Sequence, residues 1–150
     1  MVEVQFHPLE AVENDRLKYA VIAAREGDFW LFCRHRCRET WEMPGGHREE
    51  GEDIRDAARR ELWEETGAAE AAIAPLCIYS VSGADGPEQR EPNYGMLFLA
   101  QVTRREPLPA SGIAEVRAVP APAGRLPLPN TYPLIQPVLW KQVMQALGIE

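Results

Sequence analysis

Three glutamates, Glu61, Glu64 and Glu65, stand at i, i+3 and i+4 in the run Arg60-Glu61-Leu62-Trp63-Glu64-Glu65. On a helix, at roughly 100° per residue, that spacing gathers their carboxylates on one face. Like charges so placed cost an isolated helix about 0.2–0.5 kcal/mol per pair, so the face needs either full solvation or a cation between the carboxylates. Mg²⁺, a hard ion that takes oxygen ligands and joins carboxylates to substrate phosphates, suits the set, with Mn²⁺ as an alternative. For an isolated E-x-x-E-E, a solvated acidic helix is the plainer account.

The element that must carry these carboxylates is bounded by its own residues. Asp53 is placed to cap a helix with Asp56 three residues on, Ile54, Ala57, Ala58 and Leu62 recur at helical spacing, and Gly67 sits where a helix stops. The span 54–66 is therefore expected to be helical. Just before it, Gly45 and Gly46 permit close backbone approach in what reads as a Gly-rich loop, while Pro44 removes one backbone donor.

Taken together, Gly46, Glu52, Arg60, Glu61, Leu62, Glu64, Glu65, Gly67 and Ala68 stand at the fixed positions of a signature twenty-three residues long. This resembles the signature of the Nudix hydrolase family, with Ala68 a modest occupant of the final apolar slot. The resemblance implies an α/β fold, a sandwich with a mixed, curved sheet between the motif helix and a C-terminal helix. It also implies that Glu61 and Glu65 are the main side-chain ligands of the metal, with Glu64 either a ligand or a supporting partner and the Gly45 carbonyl a further ligand, and that Arg60 and Glu52 form a supporting ion pair. One further carboxylate is expected from Glu115, Glu91 or Glu88, with Glu115 preferred. The proton of the attacking water would pass to Glu61, Glu64 or Glu115.

The implied reaction is Mg²⁺-dependent hydrolysis of a nucleoside diphosphate linked to another moiety. The substrate reading is a nucleoside triphosphate, oxidised forms included, cleaved to monophosphate and pyrophosphate. Leu126 to Ile135 resembles the segment that presents an Asn to the purine in members that remove oxidised guanine nucleotides. Asn130 then either reads a base edge or caps the last helix. Rival substrates are RNA 5′ ends, dinucleoside polyphosphates and nucleotide sugars. A non-hydrolytic nucleotide sensor and a prenyl diphosphate isomerase are the rivals of other classes, the second requiring a reactive Cys in the cleft.

The 150 residues, 45% of them apolar, suit a single domain over 1–150. A net charge of −7 argues against broad nucleic-acid binding, although cations on the acidic face would still admit a polyphosphate or an RNA 5′ end. Arg34, Arg36 and Arg38 are expected either to rim the phosphate site or to balance local acid. Neither a signal peptide nor an apolar run of membrane-spanning length is evident. Cys33, Cys37 and Cys77 read as reduced thiols, with Cys33 in the core, and the location as cytosolic.

Strands are expected over 2–6, at a sheet edge, and over 18–24 and 29–33, the latter two as a hairpin. An Ala-rich connection over 69–75 should lead to strands over 76–81, 94–102 and 114–119. A long charged loop separates the first two of these. After an ordered, irregular Pro-rich stretch over 120–133, a stripe of Leu134, Val138, Leu139, Val143 and Leu147 marks a closing helix.

Overall fold

Ala20 to Ala24 is apolar at every step, a pattern that suits a strand covered on both faces. In the computed structural model, which describes residues 1–120 and 125–149, this segment lies in the central strand β2 (Leu17–Glu26). Ala20, Ile22 and Ala24 belong to a core with Ile54, Ala57, Ala58 and Leu62 of the helix α1 (Ile54–Thr66). Val21 and Ala23 belong to a second core with Leu139, Trp140 and Val143 of α2 (Gln136–Ala146). The architecture is an α/β/α sandwich.

Among the described residues seven strands form one mixed sheet: β1 (Glu3–His7), β2, β3 (Phe29–His35), β4 (Gly45–His47), β5 (Ala68–Ser82), β6 (Asn93–Arg105) and β7 (Ile113–Pro120). Their order is β1-β5-β6-β2-β3-β7, with β4 branching from β2. The β2–β6 pair is parallel and the others are antiparallel. As expected, β1 lies at an edge and β2 and β3 form a hairpin. That hairpin is paired only at its tip, Arg25 with Trp30 and Glu26 with Phe29.

Beyond the tip the two strands part, and residues 41–47 enter the gap. Cys33 pairs with Glu42, the Ile22 N–H donates to the Pro44 carbonyl at 2.8 Å, and β4 pairs Gly45 with Val21 and His47 with Tyr19. The expected Gly-rich loop is thus partly a strand, because an opened sheet offers it an unpaired edge of β2. This fork holds the backbone around Gly45 against α1.

Three other expectations need correction. The Ala-rich connection over 69–75 is strand, continuous with β5, because β6 runs to Arg105 and supplies a partner along its whole length. Alanine's weak strand preference yields to pairing, and the register breaks near Pro75, which has no N–H for the ladder. The closing helix buries Gln136, Leu139, Trp140, Val143 and Met144, while Leu134 and Val138 are exposed. Its face is set by Trp140, which packs edge-on against Trp30 at 5.1 Å between ring centroids. Finally, Asn130 does not cap that helix: the N-cap residue is Ile135, with no side-chain cap bond.

Of the Pro-rich stretch, 121–124 lie outside the described residues. Residues 129–131 are pinned beside Trp41, whose N–H donates to the Pro129 carbonyl and whose carbonyl accepts from the Thr131 N–H, at 2.7 and 2.9 Å. No described helix is long and apolar enough to cross a membrane.

Candidate active site

The ends of α1 follow the local chemistry of its sequence. The Asp53 carboxylate accepts from the Arg55 N–H at 2.9 Å, and Asn14, distant in sequence, accepts from the Ile54 N–H at 2.7 Å. Gly67 closes the helix in the left-handed region at φ 78°, where a side chain would be strained. The helix is thereby fixed at both ends, with its glutamates turned toward β4.

Arg60 organises those glutamates. Its Nε and Nη2 donate to both Glu52 oxygens at 2.9 Å each, its Nη1 donates to Glu61 at 2.8 Å, and Nη2 also reaches the His47 carbonyl at 3.0 Å. The fork-to-carboxylate pairing is the geometry arginine is shaped for. Hydrogen bonds from Arg60 push the Glu52 carboxyl down to about 2. Glu64 touches Arg60 only at 3.4 Å and its side chain is 44% exposed.

Glu65 is buried. One of its oxygens accepts from the Gly45 N–H at 2.8 Å, and the other lies 3.4 Å from His35 Nε2, which is also 3.6 Å from Glu42. Burial pushes the Glu65 carboxyl up to about 8 against the opposing pull of the Gly45 N–H, and the charges of Glu61, Glu42 and Glu64 add to the rise. Burial likewise raises Glu61 and Glu42. A Cβ at Gly46 would meet the Glu61 carboxylate, which would have to move from its place beside Arg60.

Beside this cluster is a cavity of about 280 Å³ lined by, among others, Gly45, Glu42, Tyr19, His47, Tyr132 and Gln136. Aromatic rings on a polar-edged cleft suit a nucleobase, which stacks on any of them. Tyr19 and His47 already pack edge-to-face at 4.6 Å.

The residues expected from the sequence are distributed unevenly around these features. Glu52, Arg60, Glu61, Glu64, Glu65 and Gly45 come together. Among the described residues, however, no three His, Cys, Asp or Glu side chains converge as a metal-binding group in this arrangement, since Glu61 and Glu64 face Arg60 and Glu65 faces Gly45. Glu115 is turned to Arg34 at 3.6 Å and Arg117 at 3.3 Å, and Glu88 and Glu91 lie exposed in the loop between β5 and β6. Arg34 and Arg38 are paired with Glu115 and Glu42, and Arg36 is exposed. None of the three arginines lines the cavity, although Arg38 stands over the ring of Tyr132 at 6.0 Å.

Asn130 does not line the cavity either. Its oxygen accepts from the Tyr132 N–H at 2.8 Å and its amide nitrogen donates to Gln136 at 3.0 Å. None of the three cysteines lines the cavity, and burial raises the thiol of Cys33 well above its ordinary value, so the cleft cysteine that an isomerase would need is not found.

Glu42, His35 and Gln136 are the contributors that the motif does not identify. Each carried a faint signal. Glu42 is an acid between two core residues, Trp41 and Met43, and Gln136 is a polar residue on the buried side of an otherwise apolar stripe. His35 was visible only as one of a Cys-His-Cys set that lacks a second pair at zinc spacing.

Comparison with known proteins bears on the whole chain. The NUDIX domain family matches residues 3–135. An RNA pyrophosphohydrolase of Caulobacter vibrioides is 52% identical over 44 residues, covering 28% of this chain and 26% of that protein. One of Sphingopyxis alaskensis is 40% identical over 62 residues, 37% of this chain and 39% of that protein. The chain thus spans only a quarter to two fifths of these relatives' length. In three dimensions a Bacillus subtilis pyrophosphohydrolase superposes with a TM-score of 0.73 over 99% of this chain and 93% of its own, at 23% identity, a likeness of fold.

Proposed function

The chain belongs to the NUDIX domain family, and from that premise we propose that it hydrolyses a phosphoanhydride of 5′-polyphosphorylated nucleotides, with triphosphorylated RNA 5′ ends as the substrate class. The observation that carries this reading is the join between two features at Gly45. Its N–H fixes the buried Glu65 of the carboxylate cluster, and the same residue lines the aromatic cavity. A base in the cavity would bring its 5′ phosphates to the carboxylates.

Nudix hydrolases generally use divalent metal ions. The donor set here fits one, because Glu65, Glu61 and Glu42 are carboxyls gathered together and raised by burial, Glu65 to about 8, so that a cation among them would offset their crowding. Glu61, Glu64, Glu65 and the Gly45 carbonyl would hold the ion, Mg²⁺ in this reading; Glu115 could join only by leaving Arg34 and Arg117. Such an ion supplies charge stabilisation on the phosphate oxygens as the P–O bond breaks.

The chain's own groups do the rest. Arg60 holds Glu52, Glu61 and Glu64 in register with the His47 carbonyl, and Tyr132 with the pair Tyr19–His47 receives the base. Glu64, the most exposed of the three motif glutamates, accepts the proton of the attacking water on a carboxylate oxygen. Water adds to phosphorus, pyrophosphate leaves, and a 5′ monophosphate remains.

RNA is favoured over free nucleotides by the RNA pyrophosphohydrolases among the relatives. The oxidised-nucleotide reading rested on Asn130, both ends of whose amide are engaged within the protein. Three free cysteines suit a cytosolic setting.

The test is a panel for phosphate and pyrophosphate release with Mg²⁺ or Mn²⁺. It covers 5′-triphosphorylated RNA, common and 8-oxo nucleoside triphosphates, a dinucleoside polyphosphate and a nucleotide sugar, with Glu65→Gln as control. RNA should show the highest kcat/KM, abolished in the control. A free nucleotide turned over faster than RNA would move the assignment to that substrate.

A further inference from the structure

Gln136 is 4% exposed and lines the cavity, yet it lies ninety-three residues from the chain segment that holds it. The Met43 N–H donates to its Oε1 at 2.8 Å. A backbone N–H can only donate, so the acceptor must be the amide oxygen and the assignment of oxygen and nitrogen is fixed.

The same logic fixes the next residue. Asn130 Oδ1 accepts from the Tyr132 N–H at 2.8 Å, so Asn130 Nδ2 is a donor, and it gives the Gln136 Oε1 its second hydrogen bond at 3.0 Å. Both lone pairs of that oxygen are therefore taken, and the side chain is locked in one orientation. The Gln136 Nε2, by contrast, has no protein partner among the described residues and is not sealed from solvent. A glutamine ordinarily offers a donor and an acceptor and so tolerates either kind of base edge; here the oxygen is taken and only the donor half of this cavity-lining side chain is free.

From this geometry we infer that Gln136 Nε2 is a specificity-determining donor that selects bases with a keto oxygen on the major-groove edge, guanine (O6) and uracil (O4), over adenine and cytosine, which carry an amino group there. The inference rests on the cavity receiving the substrate's base, as in the function proposed above. Guanine presents two acceptors, O6 and N7, on one edge, whereas adenine pairs its N7 acceptor with an N6 donor that opposes Nε2, and cytosine likewise presents an N4 donor. Oxidation of guanine at C8 turns N7 into a donor, so 8-oxoguanine loses one of the two acceptors. The site is thus built for unmodified guanine ahead of its oxidised form. Asn130 acts through Gln136 and is a positioning residue.

The experiment uses the full chain and short 5′-triphosphorylated RNAs carrying G, A, U or C at each of the first two positions. Preference is read both as kcat/KM with Mg²⁺ and as the Kd of the matching 5′-monophosphorylated RNAs by calorimetry. The wild type should favour the keto base at one of the two positions by about tenfold or more, the discrimination one good base-edge contact gives. Gln136→Glu preserves the shape and the acceptor for Met43 but turns an acceptor to the cavity, and should invert the ratio toward adenine and cytosine. Gln136→Leu should bring the ratio to about one, and Asn130→Ala should lower it partway without inverting it.

A keto-to-amino ratio near one in the wild type, or one unmoved by Gln136→Glu in a folded protein, overturns the assignment while leaving hydrolysis standing. Absence of turnover on every RNA, with the ratio present in Kd and inverted by Gln136→Glu, sinks the hydrolytic reading and leaves the base selection intact.

Discussion

The two sides of the cleft are built on different principles. On the α1 side, Arg60, Glu61, Glu64 and Glu65 come from one helix, and the partners Gly45, His47 and Glu52 precede it within twenty residues. On the α2 side, Gln136 is fixed by Met43 and Asn130, and the cavity wall is shared with Tyr19 of β2 and Tyr132. The first side is electrostatic, a cluster of carboxyls short of positive charge; the second is neutral, an amide held by donors of fixed kind. A helix repeats its spacing wherever it is placed, so the chemistry of the first side is local, whereas the second exists only where the sheet and α2 meet.

If the sides are separable in this way, substitutions on each should fail differently, and the largest effect tests the α2 side. Trp140→Ala removes the ring packed against Trp30 and Phe32 and should cost about 3–5 kcal/mol of stability, read from the midpoint of urea unfolding. Because Trp140 lies one turn beyond Gln136, base preference should erode too while metal affinity stays. A variant that keeps its full base preference would show that α2's packing does not position Gln136.

Next in size is Glu65→Gln. Losing this carboxylate should lower kcat by about 10²–10³-fold, several kcal/mol of transition-state stabilisation. The Kd ratio between keto and amino bases should not move. Turnover within twofold of wild type would remove Glu65 from the reacting centre.

Arg60→Ala leaves Glu52, Glu61 and the His47 carbonyl without their common donor, which should cost about 1–3 kcal/mol in folding and about 10–100-fold in activity. Arg60→Lys should rescue little, since an ammonium cannot span both Glu52 oxygens. Good rescue by lysine would mean that charge alone suffices and the fork geometry does not matter.

The smallest effect is in pH. A carboxyl raised from 4.5 to about 8 on folding holds its proton in the folded state over a range where the unfolded chain has released it. Metal-free protein should therefore lose stability as pH rises from about 4.5 toward 8, with the neighbouring carboxyls titrating alongside it. Saturating Mg²⁺ should remove most of the slope in Tm, and Glu65→Gln should flatten it without metal. A Tm that rises over that interval without metal would mean that Glu65 is not the buried acid described.

These contrasts mark how far the amino-acid sequence could be followed. Asp53 and Gly67 define α1 at both ends because capping depends on residues within a turn of each other, and the bounds 54–66 needed no tertiary information. The glutamate spacing and the nine signature positions likewise pointed to the family and its sandwich. By contrast 69–75, poor in strand-formers, became strand only because β6 ran long enough to pair with it. The buried face of α2 depended on where Trp30 and Phe32 already stood.

The sequence by itself determined the helix, its carboxylates and the family, since each is a matter of spacing along one continuous segment. Only the tertiary structure decided that Asn130 faces Gln136 and stays out of the cavity lining, that Glu42 and His35 adjoin Glu65, and that Arg34 and Arg38 pair with Glu115 and Glu42 without lining the cavity themselves. The physical reason is that a hydrogen bond is satisfied by whichever partner the fold brings within about 3 Å. For an amide with two donors and an acceptor, sequence leaves that choice open.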